Sequence, residues 1–78
     1  MSKYIWTTTK SHPVVLSRSD DEDITIVVTN CGPGDIKLLT TLNLEFEINA
    51  GSSGAIRSKG LSLQLVRGEA AAGMWEVQ

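Results

Sequence analysis

The sequence predicts a small all-β domain, an antiparallel sandwich or barrel of about six to eight short strands that spans residues 1–78. Two observations support this fold class. Apolar and β-branched residues recur in short runs of alternating polarity, which is the period of a half-buried strand. Polar or glycine-rich stretches separate these runs, and the one alanine-rich fragment, residues 69–72, lies between two glycines and is too short to nucleate a helix.

Two strands are predicted near the start of the chain. Residues 3–9, KYIWTTT, are rich in aromatic and β-branched side chains. Pro13 then interrupts the pattern, because proline has no amide proton to donate to a sheet, and residues 14–16 form a short edge strand. The polar stretch 17–23 has no periodicity and is predicted to be a loop.

A β-hairpin is predicted over residues 23–41, and the other strands are expected to be arranged around it. Gly32-Pro33-Gly34-Asp35 suits a type II turn. Proline brings a suitable φ to the second position of such a turn, and glycine tolerates a positive φ at the third. Apolar residues of one parity give each arm of the hairpin a face to bury.

Residues 42–48 alternate without interruption, and their apolar members are predicted to face the core: Leu42, Leu44, Phe46 and Ile48. The same parity begins at residue 36. Residues 36–48 would span roughly 43 Å if extended, whereas a domain of this length is only roughly 30 Å across. The strand is therefore expected to bend or to change sheets near Thr40 and Thr41.

The remaining strands are short and lie between glycine-containing turns. Their predicted bounds are residues 55–59, 61–66 and 74–77, with turns at residues 49–54 and 67–69. Ile56 and Trp75 are predicted to face the core.

The length of the chain limits its core. A domain of 78 residues buries only about 60–65% of the surface that its unfolded chain exposes, so it needs further stabilisation. Cys31 is the only cysteine and His12 the only histidine, which excludes an internal disulfide and argues against a structural zinc site. Oligomerisation is the route that remains.

Five side chains are candidates for the interface of a homo-oligomer. Val27 and Leu39 lie at nearly matching distances from the predicted turn, so they are expected to be cross-strand neighbours on the outer face. Val66, or the face that carries Tyr4 and Trp6, would extend this apolar patch. In the alternative, the protomer covers these side chains itself. The two aromatic residues could also belong to the core or stack on a sugar.

The charge balance argues against a nucleic-acid or membrane partner. Net charge is −2 and both signs are interspersed. No apolar run approaches the roughly 20 residues of a membrane span, and the N-terminus does not have a signal-peptide pattern, so a cytoplasmic location is expected. Three cations remain candidates for a small anion contact: Arg57, Lys59 and Arg67.

No group of residues predicts catalysis, and no catalytic residue, metal ligand or cofactor is assigned. Glu45 and Glu47 have a spacing seen in inverting glycosidases, but alternating glutamates are also the usual way to keep one face of a strand wet. The acidic run 20–23 does not match an EF-hand, and residues 51–60 have the wrong order for a phosphate loop.

The sequence therefore predicts a protein that is not an enzyme. The leading interpretation is a structural or interaction module that associates with itself, with another protein partner left open. The alternative is a small-ligand binding domain, with a carbohydrate favoured because of the aromatic residues.

Overall fold

The computed structural model describes residues 3–17 and 24–78. These parts of the chain form one antiparallel sheet of six strands. The strands are β1 (Lys3–Thr9), β2 (Val14–Ser17), β3 (Ile24–Thr40), β4 (Glu45–Ile48), β5 (Ser53–Ser58) and β6 (Gly60–Val77). The all-β class and the antiparallel pairing are confirmed, and the sheet is not closed into a barrel.

The long strands β3 and β6 pair along most of their length and form the centre of the sheet. At one end β1 and β5 flank them, in the order β1-β6-β3-β5. At the other end β2 and β4 flank them, in the order β2-β6-β3-β4. Each half of the chain thus supplies two short strands and then a long one, and its short strands pair with the long strand of the other half.

Both central strands bend. The 17 residues of β3 would measure roughly 56 Å if straight, whereas the longest dimension of the molecule is 33 Å. The pairing of β3 with β6 shifts register three times between Asn30 and Ile36, and such bulges bend a strand. Gly32 and Gly68 have φ values of 84° and 94° in this region, a conformation that glycine adopts without steric cost.

One cluster of buried side chains lies inside the bent sheet. Its members are Trp6, Leu16, Ile26, Val28, Ile36, Leu38, Ile48, Leu61, Leu63, Ala71 and Trp75. They come from both ends of the central pair, so the two ends share one core. Trp75 lies in the core as predicted.

Trp6 belongs to this core because Gly73 lies opposite it on β6. The glycine has no side chain, and the indole ring occupies the space that a Cβ would need. Nε1 of Trp6 donates a 3.1 Å hydrogen bond to the carbonyl oxygen of Met74, which satisfies the polar atom of the buried ring.

The predicted hairpin at residues 23–41 is wrong. Residues 32–35 lie inside β3 and remain paired with β6, with Pro33 opposite Ala71 and Asp35 opposite Arg67. The local preference for a turn is overridden because pairing with β6 continues on both sides of it. The glycines and the proline instead accommodate the bulges at which β3 bends.

The chain reverses at a position where the sequence predicts only a bend. β3 ends at Thr40, and β4 pairs back onto it from Glu45. Asn43 in the connecting loop has a φ of 62°, which asparagine tolerates better than most residues. Oγ1 of Thr40 accepts hydrogen bonds from the amides of Leu42 (3.2 Å) and Leu44 (3.1 Å), which closes the turn.

This reversal changes the exposure of the alternating segment. Ile48 is buried as predicted, but Leu42, Leu44 and Phe46 are 79%, 55% and 42% exposed, so their predicted core positions are wrong. Residues 67–69 do not turn the chain either, because β6 runs through them. The acidic residues 20–23 and most of the predicted loop at 17–23 lie outside the described residues.

Candidate functional site

A groove of about 750 Å³ lies between β4 and β5. Seven consecutive residues of the chain, 53–59, line one side of it. Successive side chains of a strand point to opposite faces, so one face of β5 would contribute only every second residue to the lining. Because consecutive residues line the groove, it is the edge of β5 that faces it. Phe46, Glu47 and Ile48 line the other side in the same way. The groove is therefore a gap in the sheet between two strand edges.

Each of these strands pairs with β3 along one edge only. Within residues 3–17 and 24–78, no other strand pairs with β4 or β5. The N–H and C=O groups along such an edge are available to a further strand.

Asn30 fixes the end of the groove where the chain passes from β4 to β5. Its backbone amide donates to the carbonyl oxygen of Ser52 (2.9 Å), and its carbonyl oxygen accepts from the amide of Gly51 (2.7 Å). Its side-chain nitrogen donates to the carbonyl oxygen of Ile48 (3.0 Å). These bonds hold the turn between β4 and β5 against the bend of β3. As a result, β4 pairs with one end of β3 and β5 pairs with the other end.

The floor of the groove is apolar. Leu42 and Leu44 reach it from the loop after β3, Phe46 from β4, and the half-buried Ile56 from β5. Three of these four side chains are exposed, and they are neighbours in space. A contiguous exposed apolar patch is typical of a binding surface.

The two sides of the groove differ in charge. Arg57 and Lys59 lie on the β5 side, are exposed, and form no ion pair with any residue that the structure describes. The β4 side carries Glu45 and Glu47, whose side chains lie on the outer face of the sheet beside Lys37 and Arg67. The groove thus separates a cationic strand from an anionic one.

Arg67, the third candidate for an anion contact, is already bound by carboxylates. Its Nε donates to Oδ2 of Asp35 (2.8 Å), and its Nη2 donates to Oε1 of Glu47. The guanidinium lowers the pKa of Asp35 below its ordinary value, and the amide of Ala50, which donates to Oδ1 at 2.8 Å, lowers it further. The hydrogen bond that Arg67 donates to Asp35 in turn raises the pKa of Arg67.

The predicted interface residues are not brought together. Val27 and Leu39 lie on the same strand, so the prediction that they are cross-strand neighbours is wrong. Val27 lies opposite Ala55 and Glu76, whereas Leu39 lies opposite Glu45 and Ser62. The side chains of Val27 and Leu39 are both half-buried.

The other three candidates have different environments. Val66 is exposed, and Tyr4 is partly exposed while its ring stacks on Trp75 with centroids 4.5 Å apart. Trp6 is only 2% exposed, so in this conformation it presents no ring face to a partner or a sugar. A separate exposed apolar pair lies on the outer face, where Ile5 is opposite Met74.

Sequence reasoning missed the groove because it placed Leu42, Leu44 and Phe46 in the core. One available signal was Asn43, a polar member of the alternating segment that adopts positive φ more readily than most residues. The second signal was Thr40, whose hydroxyl suits a local turn.

Comparisons of the chain with protein-family models, with curated proteins and with solved structures each find no match. Among the described residues, no helix is long and apolar enough to cross a membrane. In the same parts of the chain, no three or more His, Cys, Asp or Glu residues are grouped so as to hold a metal ion. In the part of the chain that the structure describes, the fold and the groove define an all-β protein with two strand edges beside an apolar patch that no other strand covers.

Proposed function

We propose that this protein is a non-enzymatic interaction or structural module that assembles with copies of itself. The observation that supports the proposal is the groove, where the exposed side chains of Leu42, Leu44 and Phe46 lie beside two strand edges that pair with no other described strand. Open edges and contiguous apolar surface both favour association with another chain. Association also adds the buried apolar area that a chain of 78 residues has difficulty supplying alone.

In this proposal the two ends of the bent sheet act as the two layers of a small sandwich. β1 and β2 border one side of this sandwich, and the groove between β4 and β5 forms its open side. A second chain that covers the groove would shield the apolar floor from water, which is the main source of free energy in most protein association.

Light scattering coupled to size-exclusion chromatography tests the proposal. We expect the wild-type protein at micromolar concentration to have a mass that is a multiple of its 8.4 kDa chain. The double variant Leu42→Ser/Leu44→Ser is expected to have the mass of one chain, because it removes most of the exposed apolar floor.

Ile5→Ser is the matched control. Ile5 is as exposed as Leu42 (82% against 79%) but lies on β1, which borders the other long strand. This variant is expected to assemble as the wild type does. A wild-type mass of one chain at every concentration tested would overturn the proposal.

The second candidate function is small-ligand binding, and the dimensions of the groove favour it. Its volume lies within the roughly 300–1,000 Å³ of typical ligand sites. The apolar floor together with Arg57 and Lys59 suits an apolar ligand that carries an anionic group. A carbohydrate has less support, since Trp6 is buried and the ring of Tyr4 is stacked on Trp75.

Titration with decanoate and, separately, with maltose, followed by two-dimensional NMR, tests this second candidate. Saturable shifts of the Phe46 and Ile56 signals with decanoate, in a protein whose mass stays that of one chain, would favour ligand binding over assembly. Shifts with maltose alone would favour the carbohydrate alternative. If assembly is the function, neither compound is expected to produce saturable shifts.

A further inference from the structure

We infer that the groove pairs with a second copy of this chain in a defined way, with β4 of each copy added to the free edge of β5 of the other. This inference rests on the proposed self-association and names the strands that carry it. It follows from the alternation of side chains on β5, from the sequence of β4, and from the opposite charges on the two strands.

The free edge of β5 sets the pattern that a neighbouring strand must have. Ile56 lies opposite the buried Ile26 and so points to the inner face, while Arg57 lies opposite Thr25 on the outer face. A strand added beside β5 keeps this alternation, because directly opposed residues share a face. Its inner residues must be apolar to cover the groove floor, and acidic residues on its outer face would pair with Arg57.

Residues 44–48, LEFEI, have this pattern. Phe46 and Ile48 lie opposite the buried Leu38 and Ile36, so the apolar side chains of β4 point to the inner face. Glu45 and Glu47 alternate with them on the outer face. β4 of a second copy therefore satisfies both requirements of the β5 edge, the apolar one and the acidic one.

The two contacts are equivalent if the grooves of two copies face each other across a two-fold axis. β4 and β5 border the same groove, so a rotation of 180° places each β4 beside the other copy's β5. Such an assembly is a closed dimer, and it buries Leu42, Leu44 and Phe46 of both copies. No edge of β4 or β5 then remains for a third copy.

The edges of β1 and β2 are the competing sites in the described parts of the chain, and the charges disfavour them. Lys3 is the only charged residue on these two strands, so pairing among them offers no pair of opposite charges. The β4–β5 contact offers the two glutamates of β4, each exposed and already in contact with one cation of its own chain, to Arg57 and Lys59. Opposite charges on facing strands also select which edges pair.

A charge-exchange experiment tests the inference. One variant carries Arg57→Glu and Lys59→Glu, and the other carries Glu45→Lys and Glu47→Lys. Each variant alone places like charges across both contacts of the dimer. We expect each to dimerise at least about tenfold more weakly than the wild type, because like charges on facing strands repel.

An equimolar mixture of the two variants restores opposite charges at both contacts. In the mixed dimer, β5 of the Arg57→Glu/Lys59→Glu variant faces the lysines on β4 of the other variant. The second contact joins an unchanged β4 to an unchanged β5, as in the wild type. We therefore expect mixed dimers, detected by native mass spectrometry with one variant isotopically labelled. Recovery in the mixture also shows that each variant is folded.

Lys10→Glu and Glu69→Lys provide the control pair, since these residues form an exposed 3.2 Å ion pair that does not border the groove. Neither substitution is expected to change the mass of the assembled protein. If either groove variant alone dimerises as the wild type does, or if the mixture fails to form mixed dimers, β4–β5 pairing is overturned while self-association stands. A wild-type protein with the mass of one chain overturns both.

Discussion

The side-chain nitrogen of Asn30 donates a 2.9 Å hydrogen bond to the carbonyl oxygen of Gly34, across the bend of β3. The same nitrogen donates to Ile48 at the end of β4, and the backbone of Asn30 pairs with Gly51 and Ser52 in the turn that follows. One fully buried polar residue thus joins the bend of the sheet to the end of the groove. The shape of the groove depends on this residue.

We expect Asn30→Ala to lower the free energy of unfolding by roughly 3 kcal/mol, because it leaves buried backbone groups without their hydrogen-bond partners. Urea denaturation followed by circular dichroism measures the change. Asn49→Ala is the control, since Asn49 is exposed and its substitution should change the free energy by less than about 0.5 kcal/mol. Equal effects of the two substitutions would contradict the role assigned to Asn30.

Gly73→Ala is expected to be more damaging, because a Cβ at this position would overlap the carbonyl oxygen of Thr29 and lie 2.8 Å from Cζ2 of Trp6. Overpacking of this kind costs about 3 kcal/mol or more. The indole N–H signal of Trp6 should also shift in NMR spectra, as its hydrogen bond to Met74 is displaced.

Gly54→Ala is the matched control for Gly73→Ala. Its added Cβ would meet only the side chain of Ile48, with Cδ1 at 3.4 Å and Cγ1 at 3.9 Å, which are ordinary contact distances. We expect it to leave stability within about 1 kcal/mol of the wild type. A Gly73→Ala protein as stable as this control would show that Thr29 and Trp6 do not pack closely against Gly73.

Asn43 offers a test of the β3–β4 reversal. Its φ of 62° is costly for a β-branched residue, so Asn43→Val is expected to lose about 1–2 kcal/mol of stability. Asn43→Gly should stay within about 0.5 kcal/mol of the wild type, because glycine adopts this conformation freely. Thermal or urea unfolding distinguishes the two. A valine variant as stable as the glycine variant would mean that the chain does not reverse at Asn43.

The ion pair of Asp35 and Arg67 predicts a pH dependence of stability. Hydrogen bonding to Arg67 lowers the pKa of Asp35 below its ordinary 3.8 in the folded state. The resulting stabilisation is fully present above that ordinary value, and it is lost as the pH falls through the lowered pKa. The difference in unfolding free energy between wild type and Asp35→Asn should therefore narrow as the pH falls below 3.8.

Arg67→Leu provides the control for this pH dependence. Without the guanidinium, the largest cause of the lowered pKa is gone, so the effect of Asp35→Asn should vary much less with pH. Urea unfolding at several acidic pH values measures both differences. An unchanged pH dependence in the Arg67→Leu background would assign the lowered pKa to another cause.

Alternation and residue composition along the chain were sufficient to predict the all-β class, the first two strands and the core position of Trp75. The site was predicted less well. Of the residues that line the groove, Arg57 and Lys59 were singled out for their charge, whereas the interface was expected at Val27 and Leu39. That expectation depended on a hairpin that does not form.

By itself, the sequence determined that this protein is built from strands, because the period of polar and apolar residues is a local property of each segment. The tertiary structure alone decided where the strands end and which of their apolar side chains meet water. Gly32-Pro33-Gly34-Asp35 has the composition of a turn, yet pairing with β6 on both sides makes it a bend in one long strand. Leu44 and Phe46 have the parity of core residues, yet no described strand pairs with the outer edge of β4 to cover them. Both outcomes depend on contacts between residues far apart in the chain, to which local periodicity is insensitive.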